Sequence, residues 1–372
     1  MTVNGLLEVE RTIYWNKQRG SLAPMDELLG IVSEHYSAGF REMVCRLSLD
    51  NAFVPAEKNL WRMAQLTISH SALREVVERE GARAQRAIHR GQFGPDWTWR
   101  DCTDQTLVTG ADGVMAPMVS QQQKQKRRST EAKKRREQGR KSTAKSGRPK
   151  SGSDGPYNEF KIVSFYDPDK AHMYAVGTSG DHEALGRLMR REGAKVRIDC
   201  APHKYSVSDG AEWIARQYAK QLPMLDENIL DYYHLRDQVI QAAHVLYGEG
   251  TGPAQAWRQE MMGYVWNQGS LVMLDRLGNY IRRHPSGPKG QALKSLRQYI
   301  AKRVNMTDYP SYRQVGYDCG SGPTESFCGT LTKRLKGRGM HWDKDNAESM
   351  MALAGLYYSN LWQNYWAKQR AG

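Results

Sequence analysis

The chain has 372 residues, of which 40% are hydrophobic and 25% charged, and its formal net charge is +14. This length allows two or three domains, and the basic excess favours a polyanionic partner, with nucleic acid as the first candidate. Without a long apolar run, a signal-like N-terminus or a Cys-x-x-Cys pair, the sequence predicts a cytoplasmic protein with no membrane contact, zinc ribbon or disulfide framework.

Helical periodicity dominates the first hundred residues, for which we predict an all-α N-terminal domain over 1–100. The predicted helices cover 24–47 and 55–66, and a third follows a break at 67–69 and continues to Glu80, with Ser69 or Ser71 as its cap. Gly81 suits the end of the third helix. Helix, short turn and helix is also the order of a helix-turn-helix, which would offer His70, Arg74 and Arg83 to DNA. An ordinary helical bundle is the alternative.

Near Leu107 the periodicity changes from helical to alternating, which indicates a sheet-containing region over 101–234. The run from Leu107 to Ala116 is typical of a strand, and it carries the pair Asp112-Gly113. Pro117 limits how far this strand can continue inside a sheet.

Residues 120–155 are of low complexity and almost free of apolar side chains. Thirteen Lys and Arg and only two Glu lie between Gln121 and Lys150, a net charge of +11. We predict a disordered or loosely helical basic loop that contacts phosphates. A solvated segment or a localisation signal is the alternative.

Beyond this loop, strands and helices alternate up to His234. The predicted strands cover 160–166, 173–178, 205–207 and 229–230, and the predicted helices cover 183–192, followed by Gly193 as a cap, and 213–218. With the strand at 107–116, this is the element order of an RNase-H-like α/β sheet. Asp209-Gly210 ends the fourth strand, where ligands and catalytic groups of open α/β sheets lie. A turn aspartate that caps the next helix is the alternative.

The remaining chain is largely helical. Residues 235–318 predict an α-helical insertion, and 319–372 return to the core. Pro323 suits the first turn of a helix that carries Glu325. A basic, glycine-rich turn from Lys333 to Trp342 follows, and a last helix over 346–366 is expected to close the core.

Three carboxylates stand out in this order: Asp112, Asp209 and Glu325. Carboxylates from separate elements are what two-metal phosphoryl chemistry requires, because Mg²⁺ prefers oxygen ligands and two ions can act on the attacking and leaving oxygens. Asp231 and His234 lie close to the end of another strand. They could instead form a buried pair whose members satisfy each other.

These motifs resemble those of the DDE transposases of bacterial insertion sequences, in the Mutator-like group with an RNase-H-like core. The matching stretches are Asp112-Gly113, Ser208–Ile214, Asp231-x-x-His234, Ser321–Ser326 and Arg334–Trp342, and the resemblance covers roughly 20–370. One departure is the N-terminus, where relatives often carry a cysteine-rich zinc ribbon and this chain has none.

The resemblance implies a DNA transposase that cleaves phosphodiesters at element ends and transfers the strand, with two Mg²⁺ ions that Mn²⁺ can replace. Asp112, Asp209 and Glu325 would be catalytic and metal-binding, with Asp231 and His234 adjacent. Expected partners are DNA, at element ends and target, and further copies of the chain on DNA, in a nucleoid-associated location. The residues expected to contact DNA are Arg74, Lys126, Arg127, Arg128, Lys133, Lys134, Arg135, Arg136, Lys333, Arg334, Lys336, Arg338 and Trp342. A structure-specific RNase-H-like nuclease and a domesticated, DNA-binding transposase are the alternatives.

Overall fold

A computed structural model describes residues 1–371 except 9, 11, 19, 29–35, 120, 138–156, 338, 339 and 341. The side chains of 27, 28, 119, 121–124, 126–128, 135 and 371 also lie outside this description. The strands are β1 (Tyr14–Asn16), β2 (Gly20–Leu22), β3 (Thr106–Ala116), β4 (Met118–Val119), β5 (Asn158–Tyr166), β6 (Met173–Thr178), β7 (His203–Ser208), β8 (Glu227–Leu230) and β9 (Trp342–Asp343).

The helices fall before, between and after the strands of the sheet. They are α1 (Pro24–Leu28), α2 (Ala38–Asp50), α3 (Phe53–Ala64), α4 (His70–His89), α5 (Gln121–Glu137), α6 (His182–Lys195), α7 (Glu212–Gln221), α8 (Tyr232–Tyr247), α9 (Gly252–Gln268), α10 (Ser270–Arg283), α11 (Gly287–Ala301), α12 (Tyr309–Gln314), α13 (Gly322–Thr332), α14 (Lys344–Tyr358) and α15 (Trp362–Ala371). None of the described helices is both long and apolar enough to span a lipid bilayer.

The central sheet has five strands in the order β6-β5-β3-β7-β8. β5 runs antiparallel to both of its neighbours, while β3, β7 and β8 are parallel to one another. The predicted mixed α/β class is therefore confirmed, as is the element order of three strands, helix, strand, helix and strand. Because β7 and β8 end at one edge while β3 continues past them beside β5, the residues that follow β7 and β8 meet the exposed part of β3 there.

Two hydrophobic cores cover the two faces of this sheet. The first contains buried residues of α2–α4, α6, α7 and α13–α15, so the helices before residue 100 share a core with the C-terminal helices. The second joins Val108, Tyr205 and Val207 of the sheet to α8–α12. The predicted insertion is thus helical and packs against the sheet through its own apolar side chains.

Helix α4 differs from the prediction because it continues to His89 instead of ending at Gly81. Gly81 is buried against α14, where a Cβ atom would lie 2.6 Å from the Ser349 carbonyl oxygen. The close contact between α4 and α14 therefore requires glycine at this position, and Gly81 does not end the helix. With α14 covering that face, α4 presents only its opposite side to solvent, and Arg83 there lies 2.7 Å from Glu80.

Three other predicted helices also change. Gly193 lies inside α6, against Leu222 and Ile198, so it does not cap the helix. The last helix is broken into α14 and α15 at Asn360, whose φ of 59° is left-handed. The predicted helix over 24–47 is represented by α1 and α2, and 29–35 lie outside the described residues. Of the basic loop, α5 is helical, and 138–155 also lie outside them.

Candidate functional site

Two aspartates lie at the edge of the sheet where the pairing of β3 with β7 ends. The parallel register pairs Gly110 with Val207 as its last residues. Two residues further along, Asp112 lies within β3 and Asp209 lies in the turn after β7, close enough for the Asp209 charge to act on Asp112. Adjacent strands lie about 4.8 Å apart, so the end of this pairing brings the part of β3 that carries Asp112 beside the turn that carries Asp209.

The two carboxylates act on each other electrostatically. Burial raises the pKa of Asp112, the Gly113 N–H and the Cys328 thiol act against that shift, and the negative charge of Asp209 adds to it. The Gly113 N–H donates to Asp112 Oδ1 at 2.6 Å, and the Ala211 N–H donates to Asp209 Oδ1 at 2.8 Å. Negative charge is thus concentrated at a half-buried edge, an arrangement that a cation would relieve.

Close packing of α13 on β3 brings the third carboxylate to this edge. A Cβ atom on Gly110 would lie 1.9 Å from Thr324 Oγ1, so only glycine lets the helix approach this closely. Thr324 Oγ1 also lies 2.8 Å from Ser164 Oγ in β5, which ties α13 to the sheet. Glu325 is the next residue and is exposed in the first turn of α13.

We expect Gly110→Ala to lower the free energy of unfolding by about 1–3 kcal/mol, because overpacking forces α13 away from β3. Chemical denaturation of the variant and the parent measures the difference. Gly278→Ala is the control: a Cβ atom there meets nothing within 4 Å in α10, and alanine should stabilise the helix by about 0.5–1 kcal/mol. Equal stability of Gly110→Ala and the parent would contradict the packing argument.

Asp231 and His234 lie beside these acids at the start of α8. Asp231 is buried and accepts hydrogen bonds from the His234 N–H at 2.9 Å and the Ser321 N–H at 2.5 Å. Burial acts to raise the pKa of Asp231, but the hydrogen bonds outweigh it and lower this pKa to about 2. The Asp231 carboxylate raises the pKa of His234 to about 9 against its partial burial, with further contributions from Asp209 and Glu325.

Asp231, His234 and Glu325 are grouped closely enough to hold a metal ion, with one ligand atom of each within 4.8 Å of the others. His234 Nδ1 lies 3.4 Å from Asp231 Oδ1 and 3.8 Å from Glu325 Oε1. Ser321 Oγ lies 2.6 Å from Asp231 Oδ2 and 3.0 Å from Glu325 Oε1, and its single proton can serve only one of them. Hydrogen bonds occupy both Asp231 oxygens, so Asp231 is not free to bind a metal ion. Its role here is to orient His234.

The insertion holds the turn that carries Asp209. Arg303, just after α11, donates from Nε to the Gly210 carbonyl oxygen at 2.8 Å, and its guanidinium lies 3.9 Å from the centre of the Tyr299 ring. The Tyr299 hydroxyl is 3.4 Å from the Asp209 carbonyl oxygen. Gly210 has a φ of +73°, and a Cβ atom there would lie 2.7 Å from Arg303 Nε and 2.6 Å from Leu230 Cδ1. These contacts fix the backbone of Asp209 from outside the sheet.

Most of the described residues that we expected to contact DNA are exposed. Arg74 is exposed and lies 3.7 Å from Glu78. Lys333 is exposed, and the charge of exposed Lys336 acts on the Cys328 thiol beside Asp112. Lys133, Lys134 and Arg136 are exposed on α5, whose backbone also contains Lys126, Arg127, Arg128 and Arg135. Arg338 lies outside the described residues.

The structure corrects the prediction for two of these residues, Arg334 and Trp342, which are both buried. Arg334 donates from Nε to the Ser48 carbonyl oxygen at 2.9 Å, and its guanidinium lies 5.0 Å from the ring centres of Phe53 and Trp342. Burial lowers the pKa of Arg334 to about 10. The apolar surroundings of this basic segment turn both side chains inward, so they support the fold and are not available to phosphates.

Three contributors to the site were not predicted from the sequence: Ser321 as the partner of Asp231, Cys328 beside Asp112, and Arg303 at the Asp209 turn. Ser321 stands four residues before Glu325, so the spacing to the acid on one helix could have indicated it. Arg303 had no such signal, because it is remote in sequence and meets Gly210 only through the packing of the insertion.

No model of a known protein family matches the chain. Over 354 residues it is 23% identical to the "UPF0236 protein in vanSb 3'region" of Streptococcus gallolyticus, which covers 93% of this chain and 69% of that protein. Over 102 residues it is 30% identical to the peptidyl-tRNA hydrolase of Koribacter versatilis, which covers 27% of this chain and 43% of that protein. The first similarity extends over nearly the entire chain, while the second is confined to about a quarter of it.

Proposed function

We propose that this protein is a DDE-type DNA transposase, an enzyme that cleaves phosphodiesters at the ends of an insertion sequence and joins the ends to target DNA. The observation that carries the proposal is that Asp112 of β3 lies within electrostatic reach of Asp209, while α13 packs on Gly110 and so brings Glu325 to the same part of β3. The mixed five-stranded sheet is compatible with the RNase-H-like core that the resemblance implies.

The donor set suits Mg²⁺, with Mn²⁺ able to substitute. Asp112, Asp209 and Glu325 offer hard carboxylate oxygens, and the raised pKa of Asp112, caused first by burial and then by Asp209, indicates a place where added positive charge is favourable. These three residues would hold two ions. When bound, such ions steady the charge on attacking and leaving oxygens of a phosphoryl group.

The other polar residues of the site would orient the acids and the DNA. Asp231 keeps His234 protonated at neutral pH, because it raises the pKa of that imidazole to about 9. His234 is partly exposed and can therefore donate to a phosphate oxygen. The hydrogen bonds that Ser321 donates to Asp231 brace this imidazole from the opposite side.

In the proposed reaction, water attacks a phosphodiester at the element end and frees a 3′-hydroxyl. That hydroxyl then attacks a phosphodiester of the target. The two steps exchange one P–O bond for another, so no oxidant or reductant is involved. The chain's basic charge, most of it in α5 and the residues that follow, would hold the DNA against an acidic site.

Incubating the purified protein with duplex DNA that carries or lacks the inverted repeats flanking its gene, in Mg²⁺ or EDTA, tests the proposal. We expect cut and joined products only with the repeats and Mg²⁺. Cutting without joining would favour an RNase-H-like nuclease. Binding with neither product would favour a domesticated transposase that acts only as a DNA-binding protein.

Replacing residues 121–150 with a neutral Gly/Ser linker should weaken binding to every DNA by similar factors. Each phosphate that the segment neutralises adds about 0.9 to the slope of log affinity against log salt, so this slope should flatten in the variant. A titration by fluorescence anisotropy at several salt concentrations measures it. A loop of the same composition in shuffled order is the control and should keep the parental slope. A parental slope in the linker variant would contradict a phosphate contact.

A further inference from the structure

A second basic feature lies far from the acids, at the C-terminal half of α4. An open cavity of about 430 Å³ is lined by Arg83 and Arg86 of α4, by Arg90 directly after α4, and by Lys368 of α15. None of its eight described lining residues is acidic. We name this feature the α4 basic cavity.

The spacing of these arginines places like charges next to one another. Arg83, Arg86 and Arg90 follow each other at intervals of three and four residues, so they share one helical face, where like charges at such spacings destabilise a helix. Glu80 lies 2.7 Å from Arg83, but it is buried and equally close to Arg41, so its charge is already shared. The face therefore retains an excess of positive charge toward solvent.

Interaction with the helix dipole does not explain all of the positive charge at the cavity. Cations near the C-terminus of a helix are stabilised by its carbonyl groups, which explains Arg86 and Arg90. Lys368 comes from a different helix, donates to the Gln92 carbonyl oxygen at 3.4 Å and lies 4.5 Å above the Phe93 ring. Two elements thus bring cations to the same cavity.

The cavity lies at the edge of the sheet opposite to Asp209. Helix α6 starts near the acidic edge and runs back along the sheet over 14 residues, or about 21 Å. At its far end Arg191 donates to the His89 carbonyl oxygen and Lys195 to the Phe93 carbonyl oxygen, both at 2.6 Å. That separation exceeds the Debye length of about 8–10 Å at physiological salt, so the cavity acts independently of the acids.

We propose that the α4 basic cavity is a second, non-catalytic DNA site that binds backbone phosphates of a duplex segment away from the reacting phosphodiester. Guanidinium groups bind phosphate oxygens in pairs, which suits Arg86 and Arg90. From Arg83 to Arg90 the helix rises about 10 Å, comparable with about three phosphates of one strand at 3.4 Å each. The choice of DNA as the polyanion rests on the proposed function.

The lining residues favour contact without sequence reading. Cations and the amides of Gln92 and Gln369 surround the cavity, beside Ala87 and Phe93. Contacts of this kind position a duplex and add affinity equally for all sequences. The cavity would then capture flanking or target DNA while the acidic edge engages the element end.

The test is the double substitution Arg86→Gln and Arg90→Gln in the full chain, with a duplex that lacks element ends as the probe. Loss of two phosphate contacts should reduce the slope of log affinity against log salt by about 1.8. Lys368→Gln, on the other helix, should reduce it by about 0.9. Thermal unfolding of each variant checks that the fold is kept.

The matched control neutralises two exposed arginines of the insertion, Arg276→Gln and Arg297→Gln, with the same loss of net charge. An equal change of slope in both double variants would overturn the proposal, since only total charge would then matter. The proposal would also be overturned if the Arg86/Arg90 double variant and Lys368→Gln both kept the parental slope of log affinity against log salt. If calorimetry shows that inorganic phosphate binds the cavity while DNA affinity is unaffected, a free anion is the ligand and the proposal fails.

The outcome separates this inference from the proposed function. A parent that binds no DNA at any salt concentration would defeat both. A parent that binds, cuts and joins DNA, with unchanged slopes in the variants, would leave the transposase proposal standing and remove only the second site.

Discussion

Replacing Asp209 with Asn should reduce cleavage and joining by about 1,000-fold or more while DNA binding stays near the parental level. The amide keeps the shape of the side chain and its hydrogen bond with the Ala211 N–H, but it lacks the negative charge that a divalent cation requires. A loss of several kcal/mol of charge stabilisation corresponds to a factor of this size. Gel analysis of cut and joined products, with anisotropy for binding, measures both quantities.

Asp199→Asn provides the matched control, because this aspartate is exposed before β7, at the opposite edge of the sheet. It should leave cutting, joining and binding unchanged. Full strand transfer by Asp209→Asn in Mg²⁺ would show that Asp209 is not part of the catalytic set. The same test on Asp112→Asn and Glu325→Gln asks whether all three acids act together.

Arg303→Ala should raise the Mg²⁺ or Mn²⁺ concentration needed for half-maximal cleavage by roughly 10- to 100-fold, a range typical of losing a residue that orients metal ligands. Arg303 donates to the Gly210 carbonyl oxygen and packs on Tyr299, so its loss frees the turn that holds Asp209. Arg303 acts through Asp209 and is therefore a positioning residue. Binding of Mn²⁺, followed by electron paramagnetic resonance, gives a readout that needs no DNA and no turnover.

The neighbouring Lys302 is the control for this prediction. It ends the same helix and lies 3.0 Å from exposed Glu212, without touching the Asp209 turn. Lys302→Ala should leave Mn²⁺ affinity unchanged. Arg303→Lys should recover only part of it, since an ammonium lacks the planar contact with Tyr299. If Arg303→Ala binds Mn²⁺ as the parent does, the turn is held by other contacts and the positioning role is wrong.

The alternation and turn residues of this sequence were enough to predict the sheet. Leu107 to Ala116 and the later strands are local patterns. β7 ends just before Asp209-Gly210, where its alternation breaks, whereas β3 continues past Asp112-Gly113 to Ala116. The same local signals predicted helical structure for the insertion and the first turn of α13 at Glu325. They failed at Gly81 and Gly193, which pack against Ser349 and Leu222 far along the chain, and at Asn360, whose left-handed φ of 59° interrupts the helix.

Local sequence therefore determined most of the elements that form and the acids that they carry, because hydrogen bonding and side-chain alternation act over a few residues. Only the tertiary structure decided that Arg334 and Trp342 turn inward, that Thr324 rests on Gly110, and that Arg303 reaches the Asp209 turn. Each of these contacts joins segments remote in sequence. Their outcome depends on the burial of apolar surface and the satisfaction of polar groups across the molecule, which no short stretch of sequence encodes.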